Sequence, residues 1–273
     1  MINQRESFKY KKRIVVKIGT SSLSYPNGRL NFQRIEKLAN VLSAIRTRGI
    51  QVILVSSGAI GVGAGRIGMS ERPVDLAQKQ ALAAIGQAEL IKIYQKFFSN
   101  YNQIVAQVLL TKDVLNDSVR HHNAKSTIER LLQMEIIPII NENDTISTYE
   151  IEFGDNDTLS AIVAKLIQSD LLIMLSDIDG LYSADPRIKD NAEIIHTVSE
   201  MTPELDRLAN GAGSSFSTGG MITKLAAAKI CYEENIDVVI TNGSIPENIF
   251  NVLEGKVIGT HFVAKKVNVK NIH

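Results

Sequence analysis

The chain has 273 residues, with 30 Lys and Arg against 29 Asp and Glu and a formal net charge of +1, so it lacks the bulk charge of a polyanion-binding protein. Hydrophobic residues make up 44% and charged residues 22%, which suits a globular chain with a sizeable core and excludes disordered, collagen-like and coiled-coil classes. Cysteine occurs once, at Cys231, which excludes an intrachain disulfide and a cysteine-based zinc site and favours a cytoplasmic location.

The N-terminus, MINQRESFKYKKRIVVKIG, is basic, but Lys17 breaks its apolar run and no small-residue cleavage site follows, so no signal peptide is expected. Lys9, Lys11, Lys12 and Arg13 read as a solvated edge rather than a nucleic-acid tail. Branched apolar runs predict strands at 13–18, 52–56, 104–109, 136–140, 171–175 and 237–241, each continuous enough for burial on both faces. Helical patterns lie between them at 32–48, 76–98, 118–133, 158–168 and 221–234. Gly49 is the expected C-cap of the first helix, and Leu82, Ile85, Leu90, Ile93 and Phe97 form the expected apolar stripe of the second. The glycine-rich run from Ser56 to Gly65 is expected as a loop shaped around a ligand, and residues 149–153 as a small hairpin. No apolar run approaches the roughly 18 residues of a transmembrane helix. Alternation of strand and helix predicts an α/β fold with a mainly parallel sheet.

In such sheets ligands bind beyond the carboxyl ends of the strands. After the first strand, Lys17-Ile18-Gly19-Thr20-Ser21-Ser22 combines a cation, a glycine and hydroxyls suited to phosphate. Ser57 follows the second. Gly63-Ala64-Gly65-Arg66-Ile67-Gly68 satisfies G-x-G-x-x-G, but it lies too far past its strand for a dinucleotide fingerprint. Asn141-Glu142-Asn143-Asp144 ends the fourth strand, and Gly154-Asp155-Asn156-Asp157 opens the next helix, gathering carboxylates and amides able to hold an ammonium or orient lysines. Neither is an EF-hand loop, and no protein metal site is expected. Ser176-Asp177 ends the fifth strand. Ser217-Thr218-Gly219-Gly220-Met221-Ile222-Thr223-Lys224 opens a helix with amide groups and a lysine able to face a phosphate, without the spacing of a P-loop. His121 and His122 lack metal-binding partners, and Ser57 lacks a nucleophile elbow.

Taken in order, VVKIGTSSL, VSSGAIGVG, KQALAAIGQ, PIINENDTI, FGDNDTLSA, LSDIDGLYSADPR and STGGMITKLAAA resemble the amino-acid kinase family over almost the whole chain. The INEND and GDND pair resembles its glutamate-phosphorylating members. The resemblance implies an αβα three-layer sandwich with a mainly parallel central sheet, and ATP-dependent phosphorylation of the side-chain carboxylate of L-glutamate to glutamyl 5-phosphate, the first step of proline biosynthesis. By the same resemblance Ser57, Asp144 and Asn156 bind glutamate. Lys17 binds ATP phosphates, Lys224 neutralises the transferred phosphoryl group, and Asp157 organises both lysines. Ser176 and Asp177, with Thr218, Gly219, Gly220, Met221, Ile222, Thr223 and Lys224, form the nucleotide site, with Mg2+ accompanying ATP.

Many relatives carry a further C-terminal domain of the PUA type. Here little sequence follows Ile258-Gly259-Thr260, so a single domain over 1–273 is expected. The family also implies a homo-oligomer, proline as feedback inhibitor and a glutamyl-phosphate reductase as a partner for the labile product, with no nucleic-acid or membrane partner. Kinases of the same family acting on aspartate, acetylglutamate, carbamate or a nucleotide, and a non-catalytic amino-acid sensor, remain the alternative readings.

Overall fold

The computed structural model describes residues 4–25, 29–69, 73–146, 156–186, 188–189, 191–211 and 220–265. Its strands are β1 (Arg13–Ile18), β2 (Gln51–Ser56), β3 (Val105–Leu110), β4 (Ile137–Glu142), β5 (Leu171–Ser176), β6 (Thr197–Val198), β7 (Asp237–Asn242) and β8 (Thr260–Phe262). They form one sheet in the order β3-β4-β2-β1-β5-β7-β8-β6. Every pairing from β3 to β7 is parallel, and β8 joins β7 antiparallel. The chain builds outward from β1 in one direction and then in the other, which opens a crevice at the carboxyl ends of the strands beside β1.

Helices cover both faces: α1 (Thr20–Leu23), α2 (Phe32–Thr47), α3 (Ala59–Arg66), α4 (Leu76–Ser99), α5 (Ser118–Gln133), α6 (Asn156–Leu166), α7 (Pro203–Gly211), α8 (Met221–Glu233) and α9 (Asn248–Leu253). Two apolar cores result. One joins the sheet to α5, α6, α7 and α8 through residues such as Ile128, Val163, Leu205 and Leu225. The other joins it to α2, α4 and α9 through Leu38, Tyr94 and Ile249. The period-two alternation of β1 sends Val15 into the first core and Ile14, Val16 and Ile18 into the second. Lys17 therefore shares the side of Val15, facing α6 and α8. The expected three-layer sandwich is present. Gly49, at φ +85°, closes α2 as its sequence position predicts.

Four expectations change. The strand expected at 104–109 is not buried on both faces, because β3 lies at the edge of the sheet with Gln107 and Leu109 exposed. The glycine-rich run after β2 is largely the helix α3, not a loop. A Cβ on Gly63 would stand 2.0 Å from the Leu82 carbonyl oxygen, and one on Gly86 would stand 1.7 Å from that of Ala59. These glycines let α3 and α4 pack backbone to backbone, a contact whose packing offsets their poor helix propensity. The buried face of α4 runs through Leu82, Ala83, Gly86, Gln87, Leu90, Tyr94 and Phe98. Ile85 of the expected stripe is 38% exposed, and Ile93 and Phe97 are half-buried, because α3 and the sheet together set the covered face. The sequence-based elements also omit α7, and the short elements α1, α9, β6 and β8, which are too brief to carry a period. The hairpin expected at 149–153 lies outside the described residues.

Candidate active site

The crevice begins with Lys17. Its ammonium group is 2.5 Å from Asp157 Oδ1 although the lysine is 5% exposed. Asp157 stands in the first turn of α6 with no exposed surface. Its other oxygen is 3.1 Å from Lys224 Nζ and accepts a 3.0 Å bond from the Thr223 hydroxyl. Lys224 is also buried. Two cations from opposite ends of the chain are thus held by the two oxygens of one carboxylate. Burying such charges in isolation is costly, and the arrangement persists because Asp157 pairs with both ammonium groups.

Local sequence explains these placements. Gly220 is the N-cap residue of α8 in an extended conformation, with no side-chain cap of its own. The first-turn amides are therefore not covered by a capping side chain, and the positive end of the helix dipole lies beside Thr223 and Lys224. Met221 packs into the core while Ile222 is 53% exposed, so their contribution to a bound nucleotide would come from the main chain. Thr218 and Gly219 lie outside the described residues.

On the other side of β1, Ser57 follows β2 and its N–H donates to Ile18 O at 3.2 Å. Gly58 has φ +105°, a left-handed turn that suits glycine and leads directly into α3. Asn156 is fully buried, and its Nδ2 donates to Ser56 O at 3.0 Å and to Asn141 Oδ1 at 2.6 Å. Since Ser56 O is a carbonyl, the amide of Asn156 must present nitrogen to it. That leaves Asn156 Oδ1 as the group able to meet a donor, and it has no hydrogen-bond partner among the described residues. Asp144, two residues beyond β4, is 2% exposed.

Thr20, Ser21, Leu23, Ser24, Leu30, Ser57, Gly58, Gly61 and Val62 line a cleft of about 260 Å³. It pairs hydroxyls and a glycine turn with apolar walls, a lining suited to a small polar molecule with an aliphatic body. Ser176 ends β5, the neighbour of β1, and is buried, whereas Asp177 is exposed and accepts a 3.1 Å bond from the Ser176 hydroxyl. The structure thus brings Lys17, Asp157, Thr223 and Lys224 into direct contact. Asn156 meets the main chain at Ser56, next to Ser57, while Ser176 and Asp177 occupy the adjoining strand end.

Sequence reasoning did not single out Asn141, Ser56 or Tyr94 as site residues. Asn141 lay in the strand-end motif, but only the fold reveals that its Oδ1 accepts from both the Glu142 amide and Asn156. Among the described residues no three His, Cys, Asp or Glu side chains group closely enough to hold a metal ion, and no helix is long and apolar enough to cross a membrane. The G-x-G-x-x-G match falls in the body and end of α3, away from any helix N-terminus, which removes the geometry a dinucleotide fingerprint requires.

Comparison with known proteins identifies the family. The model of the amino acid kinase family matches residues 12–242. A glutamate 5-kinase of Listeria monocytogenes serotype 4b (strain CLIP80459) is 52% identical over 266 residues, covering 96% of each chain. One from Clostridium perfringens (strain 13 / Type A) is 52% identical, covering 96% of this chain and 99% of its own. Among solved structures, a UMP kinase from Ureaplasma parvum superposes with a TM-score of 0.63 at 21% identity, covering 94% of this chain and 99% of that one, a likeness of fold. With the family match spanning both halves of the crevice, the chain belongs to the amino acid kinase family.

Proposed function

We propose that this protein transfers the γ-phosphoryl group of ATP to the side-chain carboxylate of L-glutamate, giving glutamyl 5-phosphate for proline biosynthesis. The observation that carries the reading is the buried pair of Lys17 and Lys224 on Asp157, set between the α8 N-terminus and the Ser57–Asn156 corner. The 52% identity to glutamate 5-kinases over nearly the whole chain supports this acceptor.

The chemistry needs few groups. A carboxylate acceptor is already ionised near neutral pH, so no general base is required. Phosphoryl transfer through a loose transition state depends on in-line placement and on neutralising equatorial oxygens. Lys17 and Lys224 supply that neutralisation, and Asp157 fixes their separation. The α8 amides and the strand end at Ser176 and Asp177 hold the nucleotide. Ser57, Asp144 and Asn156 hold the amino acid, with Asn156 Oδ1 suited to its ammonium group. Mg2+ bound to the nucleotide phosphates would add charge neutralisation, arriving with ATP rather than in a protein cage.

We also propose a cytoplasmic location and a homo-oligomer, the latter supported by the exposure of Ile104, just before the edge strand β3, at 66% and of Leu109 within it at 36%. Light scattering that finds a 30.0 kDa species at all concentrations would remove that idea. Proline, a second small amino acid, is proposed as an inhibitor, and a glutamyl-phosphate reductase as the consumer of the labile acyl phosphate. Activity indifferent to millimolar proline, or product transfer unaffected by an added reductase, would remove each in turn. The central test is ADP release from Mg-ATP and L-glutamate with hydroxylamine present. Hydroxamate in step with ADP supports the reading, and folded protein with no glutamate-dependent ADP release overturns it.

A further inference from the structure

We propose that Tyr94 of α4 is a positioning residue for the amino-acid site, acting through Ser56 on the peptide that carries Ser57. Tyr94 is fully buried, and its hydroxyl is 2.8 Å from Ser56 Oγ. Ser56 Oγ also donates to Ser57 O at 3.2 Å. With the serine's single hydrogen directed to Ser57 O, the tyrosine is the donor and Ser56 Oγ its acceptor. Burial raises the Tyr94 pKa well above its ordinary value, which keeps this donor protonated.

The same stretch of main chain is gripped from its other side. Asn156 Nδ2 donates to Ser56 O at 3.0 Å. Tyr94 and Asn156, which belong to helices on opposite faces of the sheet, thus hold Ser56 by its hydroxyl and its carbonyl. The residue that follows is Ser57, and the next, Gly58, has no Cβ to restrain a turn at φ +105°. A main chain entering so permissive a turn takes its direction from the preceding peptide. Tyr94 does not line the cleft beside Ser57. It faces a separate small void of about 10 Å³ shared with Ser56, Gln87, Gln107 and Asn141, space for one water at most. The hydroxyl therefore acts on the acceptor through Ser56 and not by contact. Gln87, from the same helix, adds a 3.3 Å bond to Glu142 O at the end of β4, so α4 supports the strand ends on both sides of Asn156.

This inference rests on the assignment of Ser57 and Asn156 to the amino-acid site. Its test is steady-state kinetics of Tyr94→Phe and Ser56→Ala in the full chain, with L-glutamate and ATP varied separately. Loss of one buried hydrogen bond predicts a rise of about five- to tenfold in the KM for glutamate. The KM for ATP and the kcat at saturating glutamate should stay within about twofold. The double variant should be no worse than either single one, because both remove the same relay. Ser56→Ala deletes one atom and carries the test if Tyr94→Phe folds poorly. Unchanged KM for the acceptor, or equal changes for both substrates, would overturn the positioning role. If the parent enzyme phosphorylates aspartate or acetylglutamate instead, the glutamate reading fails, while the same selective rise is measured on that acceptor.

Discussion

Replacing Gly86 with alanine tests how α3, and with it the Ser57 corner, is held on α4. On an exposed helix the change would stabilise by about 1 kcal/mol through helix propensity. At this crossing the added Cβ would stand 1.7 Å from the Ala59 carbonyl oxygen and 2.8 Å from the Gly63 nitrogen, where ordinary contact begins at 3.4 Å. The obstacles are main-chain atoms, so no rotamer change relieves them, and the two helices must part by about 1.7 Å in a core that is close-packed. Overpacking costs about 1–3 kcal/mol when side chains can adjust and more when they cannot. We therefore expect a net loss of about 3 kcal/mol after the propensity gain. For a chain of this size that lowers Tm by roughly 6–12 °C. Gly65→Ala, on the same α3, is the control, since its added Cβ meets nothing within 4 Å. It should leave Tm unchanged or raise it by roughly 2–4 °C. Thermal unfolding followed by circular dichroism reads both variants. The Gly86 variant should also show a raised KM for the acceptor, because Ser57 and Gly58 lead into α3. Equal midpoints for the two variants would refute the reasoning.

Lys224→Ala should fold and lose about 10²–10³ in kcat, as expected for a donor that serves the transition state; unchanged turnover would remove its proposed role. Asp157→Asn breaks both buried pairs and should cost about 3–5 kcal/mol in stability. Nucleotide should raise the Tm of that variant more than that of the parent, and an equal rise would contradict the idea that phosphates relieve the lysines. Burial acts to raise the Asp237 pKa, but hydrogen bonds from His261 and Lys11 outweigh it and hold the carboxyl at about 2, below its usual 3.8. The unfolded chain binds the extra proton in that window, so the stabilisation is full above pH 4 and about 2 kcal/mol of it is lost as pH falls toward 2. Urea unfolding of the parent and Asp237→Asn should converge by about that amount between pH 5 and pH 2.5, and a difference independent of pH would count against it. Burial pushes the Cys231 thiol up to about 12, with Glu234 adding to the rise. An aromatic disulfide reagent should therefore label it only on unfolding, and rapid labelling of the native protein would contradict its burial.

Much of the fold was legible in the sequence. Six runs of branched apolar residues, separated by helical periods, specify a mainly parallel sheet; burial on both faces holds for the inner strands, whereas β3 at the sheet's edge leaves Gln107 and Leu109 exposed. The chemistry was legible in part. Lys17 within an apolar strand, and glycine beside lysine at the start of α8, are residue types with few structural reasons to be there. What sequence could not decide was set by contacts between distant segments. The run after β2 carries a loop's composition, yet it is helical because Gly63 and Gly86 allow two backbones to meet, a fact that belongs to α4 as much as to α3. The burial of Asp157 between Lys17 and Lys224, and the convergence of Tyr94 and Asn156 on Ser56, join residues 38 to 140 positions apart. Local sequence sets which segments are helix and strand. Such polar links form only when the sheet order places those segments side by side, since the cost of burying each polar group is offset by a partner that the chain meets only on folding.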